Sequence, residues 1–281
     1  MLMNGKIHQP NTINVGVESD FYRLNHLTDL DRVLLRGLIQ MSPEQARPML
    51  TGFLHIFDGW YELLDSVSPA LRKSREIREK LEEYIITAEE LYHGRIEDGV
   101  LPILAKLRGG DATALDDEDA VMDFCYFVAL QWLRTKTMRK AVLGRTQSRP
   151  GLDASRIWPI AAHITAANFG WTLFSLRKQN ALCLIENQTA IPLITGDQPV
   201  VNLQTTPKGD DSPEYLSLYY PISPQHAIFV DDYRHPLNFG DAFTSTELVQ
   251  RLNRQMVATA DMQVYASTRE CLIPFAPRLR R

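Results

Sequence analysis

Apolar residues recur at helical spacing up to about residue 178 and in shorter, strand-like runs after it, and this change of period organises the chain. Leu27 to Gln40 carries Leu30, Leu34, Leu35 and Leu38, a spacing that predicts a helix. Ser42 followed by Pro43 predicts the opening of a second, since serine caps orphan N–H groups and proline fits a first turn. That helix carries Phe53, Ile56, Phe57 and Trp60. Ser68-Pro69 repeats the signal ahead of Leu71 to Leu91, whose many Lys, Arg and Glu predict a solvated face with one apolar stripe. Ile13 to Val17 reads as a short strand ahead of them. Gly109-Gly110 and the acids from Asp116 to Asp119 predict a loop leading into a helix start, where negative charge suits the dipole.

In the second half, "NALCLIENQTAIPLITGDQPVVNL" has two apolar runs about a polar connection, which predicts a hairpin turning near Asn187, Gln188 and Thr189. Gly196 permits unusual backbone angles and Pro199 removes a ladder donor, so the second run must bend or lie on an edge. "YLSLYYPISPQHAIFVDD" predicts one or two strands with a tight connection framed by Pro221 and Pro224. From Ser245 a capped helix and then a short strand are expected. The fold class is therefore α+β, five or six bundled helices on a small, mainly antiparallel sheet. Residues 1–178 form the mainly helical part and 179–281 the strand-rich part with one late helix, packed together as a single domain.

The stretch from about Glu118 to Leu143, taken as one helix, places Phe124, Phe127, Val128, Met138 and Val142 on one side together with Gln131, Arg134 and Thr135. Burying those polar groups costs roughly 1–3 kcal/mol each unless they are paired. A buried guanidinium calls for a carboxylate, and Glu97 and Asp197 are the candidates. Two readings stay open. The cluster is a structural clamp between helices and strands, or it is a ligand-binding pocket in which Gln131, Arg134 and Arg139 face an anion. In the second reading Asp197 orients a water, a nucleophile or a metal, and Asp197 and Glu97 are the catalytic candidates.

Composition narrows the classes of function. Thirty basic and thirty-four acidic residues among 281 leave a net charge of -4, which gives no overall field for nucleic acid or anionic membrane. Cys125, Cys183 and Cys271 are odd in number and far apart, so no disulfide framework or zinc site is expected. The start lacks the apolar core of an export signal and no apolar run is long enough to span a bilayer, so the expectation is a cytoplasmic protein. No phosphate loop, nucleophile elbow or dinucleotide fingerprint occurs, and the seven histidines show no ligand spacing, so no cofactor and no metal is expected. His163 beside Ile160 and Ile164 reads as a core histidine. A magnesium- or manganese-dependent hydrolase of phosphodiesters or nucleotides is the alternative. Glu186 and Asp197 would meet across the hairpin there, although the lysine that commonly follows is missing. The helix at 71–91 is the expected face for a partner protein, and the basic tail "PRLRR" reads as solvated.

The segments "ESDFYRL", Ile96-Glu97, "ALQWLRTKTMRK", "LITGDQPVV", "YYPISP" and "LNRQMVATADMQVYAS" follow one another in an order that resembles the bacterial family named domain of unknown function 4238, from about Gly16 to Thr268. The resemblance implies that Glu97, Gln131, Arg134, Thr135, Arg139, Asp197, Pro199 and Asn253 match the family's recurring positions. It implies a fold and a site location but no activity. One departure stands out, because family members often begin with a histidine-tyrosine-x-proline segment and this chain has His8 to Pro10 in an unlike setting.

Overall fold

In a computed structural model, residues 1–8, 25–66, 74–146, 153–179, 182–204, 215–232 and 234–276 are described. The strand expected at Ile13 to Val17, the Ser68-Pro69 cap and the "ESDFYRL" and "PRLRR" segments lie outside them. The described helices are α1 (Asp29–Gln40), α2 (Arg47–Ser66), α3 (Arg75–Arg108), α4 (Glu118–Leu133), α5 (Lys136–Thr146), α6 (Ala154–Ser175) and α7 (Thr246–Thr259). The strands are β1 (Leu2–Met3), β2 (Lys6–Ile7), β3 (Cys183–Asn187), β4 (Thr195–Gly196), β5 (Val201–Asn202), β6 (Leu218–Pro221), β7 (His226–Val230), β8 (Ala242–Phe243) and β9 (Gln263–Tyr265). The protein is α+β, as the change of period implies.

Among the described residues two sheets form where one was expected. Strands run β2-β1-β9-β4 in one and β5-β6-β7-β3-β8 in the other. Every pairing is antiparallel except β3 with β8. Two strands of the first sheet come from the first seven residues, paired to β9 through Leu2 opposite Val264. The expected hairpin between the runs at 183–187 and 193–203 does not form. β3 is held on both sides by β7 and β8, so it has no free edge for the following run. Asn187 turns the chain away, donating its amide to the carbonyls of Ile191 (2.7 Å) and Pro224 (3.2 Å). The following run then divides, β4 pairing with β9 and β5 with β6, each at a sheet edge, with Pro199 between them. Pro199 has no N–H to donate, and the switch between sheets asks for none.

Gly196 is not there for an unusual dihedral. A Cβ at that position would stand 3.1 Å from the Gln263 carbonyl oxygen and 3.2 Å from the Ala260 Cβ, so the close approach favours glycine. The β6–β7 connection between Pro221 and Pro224 is tight as expected, closed by Ile222 N–H and Ser223 N–H on the His226 carbonyl. Ser245 caps α7 by accepting from Leu248 N–H (3.2 Å). Val249, Leu252, Met256 and Val257 of α7 then lie buried with Ile185, Val201, Tyr219, Phe229, Phe243 and Val264.

The described residues fall into two compact units. One is built from segments within Met1–Val17, Val100–Met138 and Gly170–Arg281, the other from Glu18–Gly99 and Arg139–Phe169. The first holds both sheets, α4 and α7. In the second, α1 opens with a capping box, Thr28 accepting from Asp31 N–H while Asp31 accepts from Thr28 N–H. Ser42 does not cap α2. Its hydroxyl donates back to Leu38 of α1, and a short 3-10 turn at Glu44–Ala46 precedes the helix. His163 is buried against the rings of Phe53, Tyr92 and His93. The charged start of α3 carries i,i+4 pairs, Arg75 with Glu79 and Lys80 with Glu76, on a solvated surface where each contributes about 0.3–0.5 kcal/mol.

Candidate functional site

The run expected as one helix from Glu118 to Leu143 is broken at Arg134-Thr135. Asp117 caps the start of α4 by accepting from Ala120 N–H, and Arg134 terminates it, its own N–H reaching the Leu130 carbonyl. Thr135 stands between α4 and α5. Its hydroxyl donates to the Trp132 carbonyl (3.2 Å) and accepts from Met138 N–H (3.4 Å), closing one helix and starting the next. The apolar period runs on across the break, which is why a single helix is expected from the sequence.

Gln131 and Thr135 are buried, at 8 % and 7 % exposure, and Arg134 is half-buried. Arg134 Nη2 donates to Gln131 Oε1 at 3.0 Å, so two of the expected site residues contact each other directly. Gln198 reaches this helix end from the β4–β5 connection, its Nε2 standing 3.5 Å from the Trp132 carbonyl oxygen that also receives the Thr135 hydroxyl. One carbonyl thus joins the helix break to the segment that carries Asp197. Gln198 is 2 % exposed, and among the described residues its Oε1 has no hydrogen-bond donor. The sequence reading passed over Gln198, although it lies next to Asp197 in the same motif.

Asp197 answers a nearer need than Arg134. Its carboxylate accepts three backbone N–H groups of the α7–β9 turn: Asp261 (2.8 Å) on Oδ1, Met262 (2.7 Å) and Gln263 (2.9 Å) on Oδ2. Of the roles open to an acid at this corner, the turn cap is the one its contacts show. Burial, and then the charge of Asp197, push the Tyr265 phenol up to about 12. Asp197→Ala removes three charge-assisted bonds. Water can reach the exposed Met262, so the expected loss is about 2 kcal/mol rather than their sum, read from urea unfolding. A loss below about 0.5 kcal/mol would refute this capping role.

Asn253 staples the same segment from the other side, accepting from Ile194 N–H (3.2 Å) and donating to the Pro192 carbonyl (2.9 Å). Glu186 is bonded instead to Gln188 and opposite His226, and with no hairpin it does not face Asp197. Glu97 on α3 and Arg139 on α5 belong to the second compact unit. Among the described residues no group of three or more His, Cys, Asp or Glu could hold a metal ion. No described helix is long and apolar enough to cross a membrane. Burial pushes the Cys125 thiol up to about 12, and burial followed by the charges of Asp231 and Asp241 pushes Cys183 up to about 11, so neither is an activated nucleophile.

Further polar centres went unread in the sequence. Asp231 and Asp232, which follow β7, are buried, Asp231 accepting from the Ser217 hydroxyl and from Leu237 and Asn238 N–H, Asp232 from Arg234 and Leu216. Hydrogen bonds from Arg234 hold the Asp232 carboxyl well below the usual carboxylate range. Both are satisfied structural acids.

The model of the family described as protein of unknown function (DUF4238) matches residues 2–270. The chain belongs to this family. No curated protein and no solved structure matches it. Of the expected site residues, Gln131, Arg134 and Thr135 are gathered at one helix break, which Gln198 of the "LITGDQPVV" segment also reaches. Asp197 and Asn253 hold the strand segment that delivers Gln198.

Proposed function

We propose that this chain is an intracellular binding protein that holds a small polar, anion-bearing molecule at the α4–α5 break. The observation that supports the reading is the convergence of two separate motifs on the Trp132 carbonyl, which Thr135 and the buried amide of Gln198 both reach, at the helix end where Arg134 donates to Gln131. A buried amide oxygen without a protein donor is costly, and a bound donor would satisfy it. The three free cysteines suit a reducing compartment. Asp197 belongs to the scaffold of the site in this reading, holding the turn beside Gln198.

The test is a thermal-shift panel on the full chain with inorganic phosphate, acetate, nucleotides and free amino acids, run beside Arg134→Gln. At least one ligand is expected to raise the wild-type Tm, and Arg134→Gln to lose that rise while its own Tm stays within a few degrees. A wild type indifferent to every member of the panel, or a variant that unfolds outright, supports the structural clamp and removes the binding role.

A further inference from the structure

Eleven large apolar side chains are exposed among the described residues, and five of them, Leu30, Val33, Met41, Met49 and Ile56, fall on α1, α2 and the turn between them. An amphipathic surface helix buries one stripe and presents polar residues opposite it. α1 departs from that pattern. Asp31, Leu35 and Ile39 are buried, while at about 100° per residue Leu30 and Val33 lie on the opposite side and are 48 % and 60 % exposed. A lone exposed leucine is ordinary, but an apolar stripe along the outer face of a surface helix marks a docking face.

The charges beside the stripe indicate what docks there. Asp29 and Arg36 are seven residues apart, within about 20° of two full turns, so an acid and a base stand on one flank of it. Asp29 is fully exposed and reaches Arg32, a guanidinium already committed to Asp58 at 2.6 Å and 3.1 Å. Arg36 is exposed and has no ion pair among the described residues. When a copy of this helix lies antiparallel against it about a two-fold axis near Val33, Asp29 of each chain comes level with Arg36 of the other. The pattern is its own complement, and a wholly acidic or wholly basic partner would match only half of it.

We propose that α1 pairs with the α1 of a second copy of this chain in a two-fold antiparallel contact. Leu30 and Val33 pack at its centre, and two Asp29–Arg36 ion pairs between the copies flank them. One helix face covers less than the roughly 800 Å² per partner of a standard interface, so the dimer is reversible and concentration-dependent. The inference is independent of the binding role at the α4–α5 break.

Sedimentation velocity of the full chain from about 1 to about 100 μM tests this, and the wild type is expected to pass from monomer to dimer across that range. Val33→Asp should weaken the dimer by roughly tenfold or more with an unchanged circular-dichroism spectrum, since the side chain it replaces is exposed. Arg36→Glu should weaken it similarly by setting acid against acid, and Asp29→Lys combined with Arg36→Glu, which exchanges the two charges, should restore it. A wild type that stays monomeric throughout would overturn the proposal. So would a dimer that survives both single changes, which places the contact elsewhere, or a folded double variant that remains monomeric.

Discussion

Asp31→Ala is expected to lower the unfolding free energy by about 2–3 kcal/mol, because it removes the buried partner of the Arg156 guanidinium and leaves it only the more exposed Asp153. Asp31 is fully buried and receives a fork from Arg156, Nε at 2.6 Å and Nη2 at 3.1 Å. The same carboxylate accepts Thr28 N–H (2.8 Å) and the Thr28 hydroxyl (2.7 Å), so the substitution also removes the side-chain half of the α1 capping box. Burial favours the neutral acid, but the bonds from Arg156 and Thr28 and the Arg156 charge outweigh it and hold the carboxyl below its ordinary value. A depressed folded pKa contributes stability that is complete above the unfolded pKa of about 3.9 and is lost as pH falls through the folded one. Urea unfolding at pH 7 should thus show the full difference between wild type and variant, and the gap should narrow below about pH 4. A gap under about 1 kcal/mol, or one that does not change in acid, would sink this account. The paired change Asp31→Leu with Arg156→Leu removes both charges and is expected to cost much less than Asp31→Ala.

Gly170→Ala is expected to cost about 3 kcal/mol, a large effect for one methyl group. A Cβ at Gly170 of α6 would stand 2.7 Å from Tyr126 Cα, 2.9 Å from Tyr126 N and 3.2 Å from the Cys125 carbonyl carbon, all backbone of α4. No side-chain rotation relieves such a contact, so the two helices must move apart and lose packing along their crossing. Gly37→Ala in α1 is the control. Nothing lies within 4 Å of its added methyl, and the change should raise stability by about 0.5–1 kcal/mol through helix propensity. Equal effects at the two positions in thermal or urea unfolding would refute the close crossing.

Local chemistry made some elements readable. Ser245 caps α7 because its hydroxyl meets an N–H three residues on, and the acids before Glu118 fill the same need at α4. Thr28 and Asp31 formed an equally local signal that the reading overlooked. The helix break at Arg134-Thr135 was hidden because apolar spacing continues through it, while the threonine hydroxyl locally competes for the backbone groups. At the candidate site the residue types were visible and their partners were not. Asp197 was read as an acid on a corner with several roles open, and its partners are 64 to 66 residues further along the chain.

What the amino-acid sequence by itself determined is the α+β class, the strand-forming runs, the caps with a partner within three or four positions, and the residue types at the site. Those depend on backbone and side-chain preferences that act over one turn. Tertiary structure alone decided that β3 pairs with β7 and β8 rather than with the next run, that Asp31 meets Arg156 across 125 residues, and that Gln198 and Thr135 share one carbonyl. A strand edge, a guanidinium or an amide accepts any geometrically suitable partner. Which one it obtains depends on the packing of the whole chain, where burial makes unpaired polar groups costly.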